Sequence, residues 1–210
     1  MSSYPLLIVT AVTAEADAVR AGLARGDVVV EAVGVGPAAA AAGTARLLTG
    51  RAYRAVVSAG IAGGFAGRAA VGSLVIAARS IAADLGAESP DGFLPVEELG
   101  FGTTVLDADP HLVKALQAAL PGAVSGDVLT LATVTGTAPT ADRLAARFPL
   151  AAAEAMEGFG VATAAAGAGV PFAELRAVSN PVGPRDRAAW RLGDAFAALR
   201  AAAPALASLP

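Results

Sequence analysis

Three side chains and one turn hold most of the chemical interest in this chain. Glu15 comes directly after the apolar run Leu6–Thr10, at the start of a helical stretch. Ligands of open α/β sheets gather beyond the carboxyl ends of strands, where a carboxylate can act as a base on water. An acid in a helix's first turn is also ordinary, because it complements the helix dipole. Glu157 sits in Ala155-Met156-Glu157-Gly158, inside a strongly apolar neighbourhood. A lone carboxylate there is costly to bury without a partner. A pair of ligand hydroxyls would supply one, and so would backbone N–H groups at a helix start. Asn180 ends the last apolar run, and its amide offers both a donor and an acceptor, which suits the edge of a base. Arg185 and Arg187 follow on a turn carrying Pro181, Gly183 and Pro184. They read as a clamp for a substrate anion or, equally, as solvated charges.

Two glycine clusters lie at strand ends. Gly34-Val35-Gly36-Pro37-Ala38-Ala39 matches the dinucleotide pattern G-x-G-x-x-A, but that pattern also needs an acid about twenty residues on. Residues 47–71 contain no Asp or Glu, so the better reading is a tight strand-to-helix turn and not a nicotinamide site. Gly60-Ile61-Ala62-Gly63-Gly64 allows a ligand to approach the backbone, or is a plain turn. The absence of Cys excludes disulfides, thiolate zinc sites and thiol catalysis, and a single His excludes multi-His metal sites. That His, His111, reads as surface or structural, and Trp190 and Phe196 as packing for the last helix.

The elements that must position these residues alternate along the chain. Nearly continuous apolar runs at 6–10, 28–33, 55–59, 72–77, 128–133 and 175–179 read as strands buried on both faces. Ala-rich stretches at 14–24, 37–48, 110–120, 140–148, 158–167 and 187–203 read as helices, with Pro37 and Pro110 placed where a helix can start. The alternation predicts one α/β domain over residues 1–210, with a mixed or parallel sheet. The acidic, Gly- and Pro-bearing segment 82–104 breaks the pattern and reads as a surface excursion near a site. A net charge of −3 with no basic run disfavours nucleic acid, and 5% aromatic content disfavours stacking platforms. The longest uncharged stretch, 158–173, is too short to span a bilayer, and the N-terminus lacks a signal-peptide pattern. A soluble cytoplasmic protein is expected, with no membrane partner.

The order of the pieces adds what no single piece carries. Ala11-Val12-Thr13-Ala14-Glu15, Gly34-Val35-Gly36, Ala59-Gly60-Ile61-Ala62-Gly63-Gly64, Val71-Gly72-Ser73-Leu74-Val75, Phe148-Pro149 ahead of Met156-Glu157, and Arg176-Ala177-Val178-Ser179-Asn180 follow in turn. This series resembles the purine nucleoside phosphorylase/uridine phosphorylase superfamily, particularly its nucleosidase branch, from about Leu6 to the final helix. Residues 97–101 and 179–185 resemble one subgroup of that branch. The resemblance implies a central twisted mixed β-sheet flanked by helices, a purine nucleoside as small-molecule partner, no cofactor, and a homo-oligomer, with a dimer favoured. It implies cleavage of an N-glycosidic bond through an oxocarbenium-like sugar. Glu157, with Met156, would hold ribose hydroxyls. Glu15 would orient and deprotonate water. Asn180 would face the purine, and the backbone around Val134 would read its edge. Gly60 and Ile61 would border the substrate at the strand end. Two departures sharpen this. Adenine-specific nucleosidases carry Asp where this chain has Asn180, and an amide donor suits a 6-oxopurine better. Ile61 offers nothing to a phosphate oxygen, which favours water as nucleophile. Where nucleosidases read Val-Glu-Met-Glu this chain reads Glu154-Ala155-Met156-Glu157, so Glu154 receives no role.

Overall fold

The computed structural model describes residues 4–24 and 27–210. The chain runs β1 (Leu6–Thr10), α1 (Thr13–Gly22), β2 (Val28–Ala32), α2 (Pro37–Gly50), β3 (Ala55–Gly64), β4 (Leu74–Ala82), β5 (Gly86–Ser89), β6 (Gly92–Pro95), β7 (Val105–Asp107), α3 (Pro110–Ala119), β8 (Val124–Thr130), α4 (Ala138–Arg147), β9 (Ala151–Ala155), α5 (Gly158–Ala168), β10 (Phe172–Pro181) and α6 (Leu192–Ala207). The expected mixed sheet flanked by helices is present, and it closes on itself. β3 pairs with β10, β10 with β4, β4 with β8, β8 with β9, and β9 returns to β3. β1 and β2 extend from β3 as a parallel wing, and β7 lies antiparallel on β4.

One edge of β3 serves two partners. Its first residues pair with β1 as far as Val9↔Ser58, and its last two pair with β9 as Gly63↔Glu154 and Gly64↔Ala153. Between them, residues 59–62 have no strand on that edge. The sheet splits there, and the split opens the candidate site.

Side-chain alternation along the strands sorts the core. One face presents Val57, Ile76 and Leu175 to Val19 of α1 and to Leu199 and Leu206 of α6. On the other face Leu7, Val9 and Val56 pack with Val161 and Ala165 of α5. Further along that second face the residues turn inside the ring, where Ala62, Ala77, Val128, Ala153 and Val178 meet. A five-stranded ring is narrow, and small side chains fill it.

Three elements differ from the sequence reading. β9 reads Ala-Ala-Ala-Glu-Ala, a composition with helical propensity and no strand signature, yet it is paired on both edges between β8 and β3. The last helix starts at Leu192, because Asp186 caps a separate 3₁₀ turn over Arg187–Ala189. Segment 82–104 forms the β5–β6 hairpin, and Arg147 of α4 stacks over Phe93 at 4.1 Å. Among the described residues no helix is long and apolar enough to cross a membrane.

Candidate active site

A cavity of about 230 Å³ fills the split, at the carboxyl ends of β1, β3, β9 and β10. Glu15 and Ile61 line one side, Met156 and Glu157 a second, and Val134, Asn180 and Arg185 a third. Residues far apart in sequence thus meet in one space.

Glu15 is the third residue of α1 and is only 3% exposed. Its Oε2 accepts from the Ala11 and Val12 N–H groups at 2.9 and 3.2 Å, which satisfies donors at the helix start. Its Oε1 accepts from the Ile61 N–H at 2.9 Å, the donor that the split edge of β3 leaves unpaired. A buried N–H without a partner costs about 1–3 kcal/mol, so the carboxylate stabilises the split as well as bordering the cavity. Burial pushes the Glu15 carboxyl above its ordinary value. The Ile61 N–H and the Arg176 guanidinium pull it back, and Glu157 pushes it further up.

Glu157 closes β9 and starts α5. Its Oε1 accepts from Gly36 N–H at 3.2 Å, and its Oε2 from Met156 N–H at 3.3 Å. The Gly34–Gly36 turn is therefore a tight strand-to-helix turn, and both glycines hold positive φ, 105° and 90°. Arg176, 1% exposed, reaches Glu157 Oε2 with Nη1 at 3.4 Å and donates from Nη2 to Ser58 Oγ at 2.9 Å. A Cβ at Gly60 would lie 2.7 Å from both Arg176 Nη1 and Glu15 Oε1. Gly60 does not line the cavity. Its missing side chain makes room for the chain's own charges, not for a ligand.

At the other end, Asn180 Nδ2 donates to the Pro181 carbonyl at 2.9 Å, and Oδ1 accepts from the Ser179 hydroxyl at 2.8 Å. Turning the amide over would set oxygen against the Pro181 carbonyl, acceptor against acceptor. The amide is thereby fixed with one N–H left for the cavity. A register shift between Val178 and Asn180 brings this side chain to the rim. Val134 is held from behind: Glu154 accepts from Thr135 N–H at 2.7 Å and from its hydroxyl at 2.5 Å. Glu154 lines the cavity, and burial pushes its carboxyl above the ordinary value. Segment 82–104 contributes nothing to the lining.

Of the two arginines on the turn, only Arg185 lines the cavity. Arg187 does not; its guanidinium stands 5.8 Å over the ring of Trp190, which does. Sequence reasoning missed Trp190, Glu154 and Arg176 as parts of the site. For Arg176 a signal existed: Glu174 and Arg176 stand two apart in the apolar stretch 172–178, which places both on one buried face.

The phosphorylase superfamily model matches residues 8–209. The chain is 57% identical to a futalosine hydrolase of Streptomyces coelicolor, over 96% of this chain and 94% of that one. It is 31% identical to a 5′-methylthioadenosine/S-adenosylhomocysteine nucleosidase of Shewanella putrefaciens, over 75% and 70%. Its fold is similar to the native structure of futalosine hydrolase from Helicobacter pylori, with a TM-score of 0.83 at 16% identity, covering 97% of each chain. The chain belongs to the phosphorylase superfamily and, within it, to the futalosine hydrolase group of the nucleosidase branch.

Proposed function

We propose that this chain is an N-glycosyl hydrolase that cleaves futalosine to hypoxanthine and the base-free sugar. The observation that carries the reading is the meeting of Glu15 and Glu157 at one cavity whose opposite end presents a fixed amide donor. As the bond to the base breaks, the sugar gains positive charge, and a carboxylate bound to ribose hydroxyls stabilises that charge more than the ground state. Glu157 fills this role, beside Met156. Glu15, its carboxyl raised from the ordinary value by burial, is suited to take a proton from water. A phosphate dianion in the same place would face both acids. The Ile61 N–H on the split edge of β3 is also engaged already, by Glu15. Water is therefore the nucleophile, and the reaction needs neither metal nor organic cofactor.

The leaving base takes negative charge. The free N–H of Asn180 can donate to O6 or N7 of hypoxanthine, and the backbone around Val134 reads the adjacent edge. An adenine would set its amino group against that donor, and the Pro181 carbonyl opposes the amide flip that would relieve the clash. Futalosine carries an aromatic carboxylate beyond the 5′ carbon, and the reading assigns that group to Arg185, which lines the cavity. The reading includes a role in menaquinone synthesis, a cytoplasmic location and a homo-oligomer, most simply a dimer. The deciding experiment offers futalosine, aminofutalosine, methylthioadenosine and inosine to the purified protein, with and without phosphate, and identifies base and sugar by chromatography. Hypoxanthine and free sugar from futalosine in phosphate-free buffer are expected. Strict dependence on phosphate would refute hydrolysis.

A further inference from the structure

Behind the cavity wall lies a charge that the reaction as described does not use. Glu174 is fully buried, at 0% exposure, and lines no part of the cavity. Its Oε1 accepts from Arg176 Nε at 2.8 Å, and its Oε2 faces the Ser80 hydroxyl without a well-formed hydrogen bond. An apolar side chain of the same volume would pack there without the cost of burying an ion. The fold also makes room for this carboxylate. A Cβ at Gly158 would overlap both of its oxygens, so the first residue of α5 has to be glycine for Glu174 to lie under the helix start. The positive end of a helix dipole favours an anion in that place. The groups facing Glu174 are Arg176 on its own strand, Glu157 at the β9–α5 junction and Ser80 on β4. Glu15 on α1 faces the same guanidinium. Three carboxylates therefore share Arg176.

We propose, resting on the hydrolase reading above, that Glu174 is a positioning residue for the reaction: it holds the Arg176 guanidinium against Glu157 and Ser58 and takes up part of its charge, which keeps Glu15 a competent base. Without that charge, Arg176 acts on Glu15 and Glu157 alone. The anionic form of Glu15 is then stabilised, and its affinity for a proton falls.

Glu174→Gln tests this, because it keeps the shape and an acceptor for Nε while removing the charge. kcat and KM for futalosine are measured for both proteins in phosphate-free buffer from about pH 5 to about pH 9. The variant is expected to lose about tenfold in kcat, with KM changed by no more than about twofold. The acid limb of its kcat profile should move down by about half a pH unit or more. A packing role alone would lower the melting temperature and leave that limb in place. Glu174→Asp keeps the charge and should return the limb to its wild-type position with kcat still reduced. If the Gln variant does not fold, the Asp variant carries the test, and a wild-type kcat in it overturns the proposal. A Gln variant with an unmoved acid limb, whatever its kcat, overturns it too. Wild-type protein that releases no base at all refutes the hydrolase reading itself, a distinguishable result, and the proposal falls with it.

Discussion

At the Glu15–Glu157 end of the cavity the side chains are buried charges bound on several sides, and Arg176 there is 1% exposed. At the opposite end Arg185 and Arg187 are exposed on a turn that also holds Pro181, Gly183 and Pro184. The first end is costly to disturb, because each charge left without its partner is a buried ion out of water. The second is cheap to disturb, because solvent replaces whatever contact is lost. Machinery belongs at the first end and selection at the second. Substitutions there should divide accordingly between turnover and substrate preference.

The largest effect is expected at Glu15. Glu15→Gln should bind nucleoside and lose about a hundredfold or more in kcat, the scale of losing a general base. It should also lower the melting temperature, since an amide NH₂ would face either the Ile61 N–H or those of Ala11 and Val12. Because burial raises the Glu15 carboxyl, wild-type activity should fall as pH drops through a value above the ordinary Glu value of 4.5. A kcat–pH profile checks this, and a flat profile down to that value would separate Glu15 from the proton transfer.

A smaller effect, of a different kind, is expected at Asn180. Asn180→Asp should keep futalosine turnover within about tenfold while raising adenine release relative to hypoxanthine release. The measurement is kcat/KM for futalosine and aminofutalosine with both proteins. An unchanged ratio would mean that this side chain does not face the base.

The smallest effects are expected at the exposed arginines, and they should differ. Arg185→Ala should raise KM for futalosine by about fivefold to tenfold and leave inosine cleavage nearly unchanged, the pattern of lost uniform binding. Arg187→Ala should move both by no more than about twofold, because Arg187 meets the cavity only through Trp190. Equal losses on both substrates for Arg185→Ala would assign it to the ordering of the turn.

The α/β class, most strand and helix positions, and Glu15, Glu157 and Asn180 as candidates that line the cavity were legible in the chain. These rest on local signals: apolar runs of strand length, helix starts, and polar groups stranded in apolar surroundings. Val134 carries no such signal and was reached only through the resemblance. The closing of the sheet was not legible. It depends on β9, whose Ala-Ala-Ala-Glu-Ala carries no strand propensity and gains its conformation only from neighbours on both sides. That closure leaves residues 59–62 of β3 without a strand on the edge shared by β1 and β9, creates the cavity and assigns the Ile61 N–H to Glu15. Gly60 could be read as backbone open to a ligand, and only the packing shows that the freed space holds Glu15 and Arg176. Arg185 and Arg187 looked equivalent, since they lie two apart on one turn. The 3₁₀ turn starting at Arg187 separates them, with one on the cavity and the other on Trp190. The sequence determined which chemical groups are present and the elements that bear them. Pairing between distant strands, which no local preference encodes, decided which of those groups share a space and which only stand nearby.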